Sequence, residues 1–174
     1  MLYHLCPADI DVTRVRCVLM KPEEWRYIAI TADMDSSTDD AKNEMPSSWN
    51  EYINTVMLES GYVSKGAIYG IDGKKWATSQ GFELSKDDIM TLVRGFTDPI
   101  KLYTDGIRIG GRTFTCTRSD SGLIVGRESS AGHGCIVYRC NKCLVIAVHE
   151  DGAHPGGCHV TITKLGDYLR DQGI

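Results

Sequence analysis

Between residues 106 and 151 the chain reads GIRIGGRTFTCTRSDSGLIVGRESSAGHGCIVYRCNKCLVIAVHED, a series of short β-branched runs separated by GG, SDSG, SSAGHG and NK. Such breaks can reverse a chain but cannot hold the crossover helix that a parallel sheet requires. The segment is therefore expected to be an antiparallel meander, and the alternation of a doubly wound α/β domain is excluded. Ahead of it, KGAIYGI, a DG turn signal and KKWATS predict a further hairpin.

Three helical segments surround these strands. Ser48 with Glu51 three residues later forms a capping box, which starts a helix with Trp49 in its first position, Tyr52 one turn on, and an apolar stripe of Ile53, Val56 and Met57. That helix is expected to end near Gly61, and its Trp and Tyr to stand exposed at its start. Ser85 with Asp88 starts KDDIMTLVRGF, where Ile89, Leu92, Val93 and Phe96 share a face and Asp98-Pro99 is the stop. DGAHPGG is expected to be a loop. The final helix, VTITKLGDYLRDQG, aligns Ile162, Leu165 and Leu169. The order α-β-β-α, several strands, α predicts an α+β fold: a central antiparallel β-sheet flanked by helices, with the terminal helices side by side on one face.

Charge divides the chain. Residues 1–44 hold 5 Lys/Arg and 9 Asp/Glu and so carry the whole net charge of −4. They are expected to form an acidic N-terminal extension: two short strands around KPEE, then the Ser-rich, apolar-poor ADMDSSTDDAKNE as a flexible linker. The domain proper is placed at 45–174, which is neutral. Within it, Lys101, Arg108, Arg112, Arg118, Arg127, Arg139 and Lys142 outweigh Asp105, Asp120 and Glu128. A local basic face of this size suits an acidic protein surface or a lipid headgroup and is too weak for a dedicated nucleic-acid binder. MLYHLCPADIDV has neither the basic start nor the apolar segment of a signal peptide, so the expected location is intracellular and the seven cysteines are expected as free thiols.

A metal or thiol-redox centre is the rival reading, since His133, Cys135, Cys140, Cys143, His149, His154, Cys158 and His159 lie close in sequence and Cys140-x-x-Cys143 has zinc-knuckle spacing. The flanks IVYR and LVIAV argue otherwise. They make Asn141-Lys142 a two-residue hairpin loop with the two cysteines opposed on neighbouring strands, away from the helix N-terminus a redox pair would use. No metal or cofactor is expected. The Gly-Gly of RIGGRT has no helix after it to serve as a phosphate cradle, and nothing resembles a nucleophile elbow or a metalloprotease helix, so no enzyme is expected.

Trp49, Tyr52, Trp76 and Tyr168 can meet at one surface if the terminal helices are neighbours. Aromatic rings with N–H and O–H edges make a groove for a polyproline II ligand, which is already extended and keeps its carbonyls free. SSWNEYI, AIYGIDGKKWATS, GIRIGGRTF, LIVGRE and HPGGCHVTITKLGDYLRDQGI, in this order, resemble profilin over residues 45–174. The resemblance implies a cytoplasmic, cytoskeletal protein that binds monomeric actin, takes proline-rich proteins between its terminal helices, and meets phosphoinositide headgroups. By the same resemblance Trp49, Tyr52, Trp76, Tyr168 and Ile174 correspond to the proline-binding positions. Tyr103, Thr104, Arg112, Arg127, Arg139, His154, Gly156, Gly157, His159 and Lys164 correspond to an actin face on the strands after IGG, their hairpin partners and the start of the last helix. The chain departs from its relatives at RESSAG, where many carry two lysines and a glycine, and at Lys164, where some carry an acid.

Overall fold

A computed structural model of the chain describes residues 48–128 and 132–174. The N-terminal extension, with its expected hairpin and linker, lies outside the described residues. The elements in order are helix α1, an α-helical turn Trp49–Glu51 continued as a π-helix Tyr52–Leu58; strands β1 (Lys65–Gly70) and β2 (Lys75–Thr78); helices α2 (Lys86–Gly95) and α3 (Ile100–Asp105); strands β3 (Ile107–Ile109), β4 (Arg112–Ser119), β5 (Leu123–Arg127), β6 (Gly134–Arg139) and β7 (Cys143–His149); and helix α4 (Pro155–Asp171). The seven strands form one antiparallel sheet ordered β2-β1-β7-β6-β5-β4-β3. The meander supplies five consecutive members, and the first hairpin joins through β1 against β7, with Lys65 opposite Val148 and Gly70 opposite Cys143.

Burial on both faces explains why the central strands read as unbroken apolar runs. Alternation sends Cys143, Val145 and Ala147 to a core beneath α1 and α4, which also holds Ile53, Met57, Ile136, Ile162, Leu165 and Leu169. Leu144, Ile146 and Val148 go to the opposite core beneath α2 and α3, with Ile89, Leu92, Leu102, Ile107 and Phe114. Each fully buried aliphatic side chain contributes about 1.5–3 kcal/mol.

Local chemistry fixes the ends. The Ser85 hydroxyl accepts the Asp88 N–H at 3.1 Å and so caps α2. Gly110 and Gly111 both take positive φ, 58° and 79°, in the tight turn between β3 and β4; a following strand leaves no helix end for an anion.

Three expectations need correction. The stretch after Pro99 is the short helix α3, with Pro99 at its N-cap, so Tyr103 and Thr104 lie on a helix rather than on strands. The last helix begins at Pro155 and absorbs the expected loop, because the ring of Pro155 suits a first helical position and the His154 Nδ1 accepts the Gly157 N–H at 3.2 Å. Tyr52 is buried, only 6% exposed, because the π-helical turn and α4 close over it.

Candidate functional site

Two separate surfaces gather the expected residues. The first lies over the core beneath α1 and α4. Trp49 sits in the first turn of α1, where the Glu51 carboxylate accepts the Ser48 N–H at 3.5 Å. Trp76 comes from edge strand β2 and Tyr168 from the last turns of α4. Ring centroids run in a row: Trp76 to Trp49 at 4.7 Å, Trp49 to Tyr52 at 5.7 Å, Tyr52 to Tyr168 at 6.3 Å. All three contacts are tilted at 37–44°, the spacing and offset that aromatic pairs favour. Trp49, Trp76 and Tyr168 are half-buried, with rings left for a partner.

The row carries an unmet donor. The Tyr52 hydroxyl is buried beside the Tyr168 phenol without a well-placed hydrogen bond to it. Burial, then the neighbouring Tyr168 phenol, push it far above the usual tyrosine range, so it stays protonated and able to donate. Ile174 borders this end of the molecule. Its N–H donates to the Leu169 carbonyl at 3.0 Å, and its own carbonyl accepts the Asn141 N–H at 2.7 Å. The β6–β7 hairpin loop thus clamps the C-terminus of α4.

The second surface runs over β4, β5, β6 and the start of α4. Arg112 begins β4 and Arg127 ends β5, at the same end of the sheet as the His149 terminus of β7, from which the chain runs on to α4. Side-chain alternation turns Arg127 toward the α4 side of the sheet and Arg112 toward the other. Tyr103 and Arg139 lie at the opposite strand ends: the Tyr103 hydroxyl accepts the Ser119 N–H at 3.1 Å, and the Arg139 guanidinium sits 5.8 Å over the Phe96 ring. Thr104 is exposed on α3, while His159 and Lys164 are half-buried on α4. Gly157 has a packing role: a Cβ there would run into the Tyr62 ring. The ten positions therefore fall on both faces of the sheet: Arg127 with the residues of α4 on one, and Arg112 and Arg139 with the residues of α3 on the other.

The metal ligands of the rival reading are not brought together. Cys140, Cys143 and Cys158 are buried on the α4 side of the sheet, and Cys135 on the opposite side. Cys140 and Cys143 do face each other across the Asn141-Lys142 loop, where the Cys140 N–H donates to the Cys143 carbonyl at 2.9 Å. The Cys140 thiol is held well above its ordinary range by the adjacent Cys143 and by burial, the reverse of what a redox cysteine needs. Burial likewise pushes Cys158 up to about 12. Among the described residues no group of three or more His, Cys, Asp or Glu is placed to hold a metal ion. No described helix is long and apolar enough to cross a membrane.

Residues 47–174, which include both surfaces, match the family model described as Profilin. The chain belongs to the profilin family. It is 34% identical over 123 residues to Profilin-3 of Caenorhabditis elegans, an alignment covering 71% of this chain and 96% of that protein. Its profilin domain superposes on the crystal structure of Acanthamoeba castellanii profilin II with a TM-score of 0.70 and 32% identity, covering 73% of this chain and all of that one. Mouse profilin IIa, solved in complex with a double repeat from the FH1 domain of mDia1, shares the fold at 24% identity and a TM-score of 0.62, covering 72% and 99% of the two chains. One set of profilin-domain residues escaped the sequence reading. Arg112 and Glu128 both reach His133, and Arg112 also reaches Glu150; no local spacing signals this, because Arg112, the Glu128–His133 turn and Glu150 come from separate chain segments.

Proposed function

We propose that the chain is an actin-monomer-binding regulator of cytoskeleton assembly that also takes proline-rich ligands, acting in the cytoplasm by binding and not by catalysis. The observation that carries this reading is the aromatic row Trp76–Trp49–Tyr52–Tyr168, with its protonated Tyr52 hydroxyl left without a well-placed acceptor. A polyproline II strand offers flat ring faces for stacking and a bare carbonyl for that hydroxyl. The FH1 repeat bound by mouse profilin IIa supports the assignment. Trp49, Tyr52, Trp76, Tyr168 and Ile174 would hold this ligand.

Monomeric actin is assigned to the other surface, through Tyr103, Thr104, Arg112, Arg127, Arg139, His154, Gly156, Gly157, His159 and Lys164. Family membership and the basic strand ends support it. Phosphoinositide headgroups would meet the basic strand ends, where the Glu128 carboxylate beside His133 and Arg112 weakens the local positive charge.

Intrinsic tryptophan fluorescence during titration with a proline-rich peptide tests the reading. A saturable change in the full chain that Trp49→Ala weakens by about thirtyfold, the scale of a buried aromatic anchor, supports it. A folded protein whose signal does not change would reduce the row to packing.

A further inference from the structure

The strand ends beside α4 carry a row of polar side chains that neither binding surface explains. The Glu128 N–H donates to the His133 carbonyl at 2.9 Å, which extends the β5–β6 ladder one step past the Arg127–Gly134 pair. The β6–β7 register pairs Gly134 with His149, so the next step sets His133 across from Glu150. Arg112, at the start of β4, reaches the same place. Its Nη1 lies 2.9 Å from His133 Nδ1 and its Nη2 lies 3.9 Å from Glu150 Oε1. Glu128 Oε2 lies 3.0 Å from that same His133 Nδ1.

One nitrogen cannot satisfy both neighbours. A bare Nδ1 accepts an N–H from the guanidinium but turns a lone pair on the carboxylate. A protonated Nδ1 donates to the carboxylate but turns a hydrogen on the guanidinium, which has only donors. The remaining charged groups around it do not resolve the conflict. Arg127 on β5 alternates to the opposite side of the sheet, and Asp151 lies beside Gly132. His149, next to Glu150 on β7, is held below the usual histidine range chiefly by burial, with the Arg127 charge adding to the effect, so it stays neutral.

We propose that His133 is a positioning residue for Arg112. The neutral imidazole anchors the guanidinium. Protonation hands the imidazole to Glu128 and releases Arg112 toward Glu150. The consequence for affinity rests on the assignment of Arg112 to the actin surface: an anchored arginine meets its partner already ordered, so protonation weakens actin binding about threefold.

The test follows the His133 ring nitrogens by NMR in the full chain at about pH 8 and pH 5, on either side of the range where an imidazole changes charge. At the higher pH the wild-type Nδ1 carries no proton, as an acceptor for Arg112 requires, whereas Arg112→Gln moves the proton onto Nδ1 to face Glu128. A wild-type Nδ1 that already carries the proton at the higher pH, or the same tautomer in both proteins, overturns the proposal, and this readout needs no partner. With actin, the wild-type chain loses about threefold more affinity than His133→Gln between about pH 7.5 and 6; equal slopes also overturn it. Failure of both proteins to bind actin at any pH sinks the actin assignment instead, and the imidazole tautomers then decide the role of His133 alone.

Discussion

Tyr52 sits in the core with its ring useful and its hydroxyl idle. A buried, unpartnered hydroxyl costs free energy, and its natural relief is a ligand acceptor. Tyr52→Phe therefore separates ligand binding from packing. The free protein should keep its stability or gain up to about 1 kcal/mol, read from urea denaturation, while proline-peptide affinity falls about fivefold, the worth of one net hydrogen bond. Loss of stability with unchanged affinity would mean that the hydroxyl serves the fold. His149 makes a second residue-scale prediction. Burial and the nearby Arg127 charge depress its folded pKa, so its stabilising contribution is present above the unfolded imidazole value of about 6.5 and is lost as pH falls below it. The melting temperature should drop between about pH 7 and 5, and His149→Asn should flatten that drop; identical pH profiles would contradict this. At this scale the sequence told which aromatics to watch. It could not show that Tyr52 would be buried, because that follows from how α4 lies over the turn.

Helix α4 ties the two surfaces together: His154, Gly156 and His159 lie at its start, and Tyr168 lies in its last turns with Ile174 just beyond its end. It can lie close to the sheet because Gly166 leaves room for the Tyr138 ring, whose hydroxyl donates to Asp167 and accepts from Arg170 Nη1 at 3.0 Å. A methyl at Gly166 would overlap that ring. Helix propensity favours Gly166→Ala by about 1 kcal/mol, but overpacking costs about 1–3 kcal/mol. The variant should be destabilised in chemical denaturation and bind the proline peptide more weakly, as Tyr168 shifts with the helix; a more stable variant would show that this contact is loose. The apolar spacing of Ile162, Leu165 and Leu169 and the cap at Ser85 made α2 and α4 readable. α3 was not, because IKLYTD is too short to show a period and follows a proline that usually ends helices. The true start of α4 was hidden by Gly156 and Gly157, whose poor helix propensity is outweighed by Pro155 and the His154 cap. The π-helical winding of α1 leaves no signature in residue types, since its apolar spacing also fits an α-helix.

Across the whole molecule, the meander and the continuous apolar runs of β6 and β7 made the antiparallel sheet legible, because turns and two-faced burial are written locally. The closure of β1 onto β7 was not, since strand pairing across more than sixty positions depends on which edges are left open. The same holds for the Arg112–His133–Glu128–Glu150 cluster. The arrangement that results puts the aromatic row at the β2 edge and the far end of α4, and the basic strand ends at β4–β6 and the near end of α4. Two ligands placed there do not compete for the same atoms. Analytical ultracentrifugation of the full chain with monomeric actin and a fluorescent proline-rich peptide shows whether the two surfaces bind independently. A single ternary species is expected, carrying the peptide signal at the mass of the actin complex and lost on Trp49→Ala while the actin complex persists. Peptide displaced by actin, or an actin complex that disappears with Trp49→Ala, would contradict it.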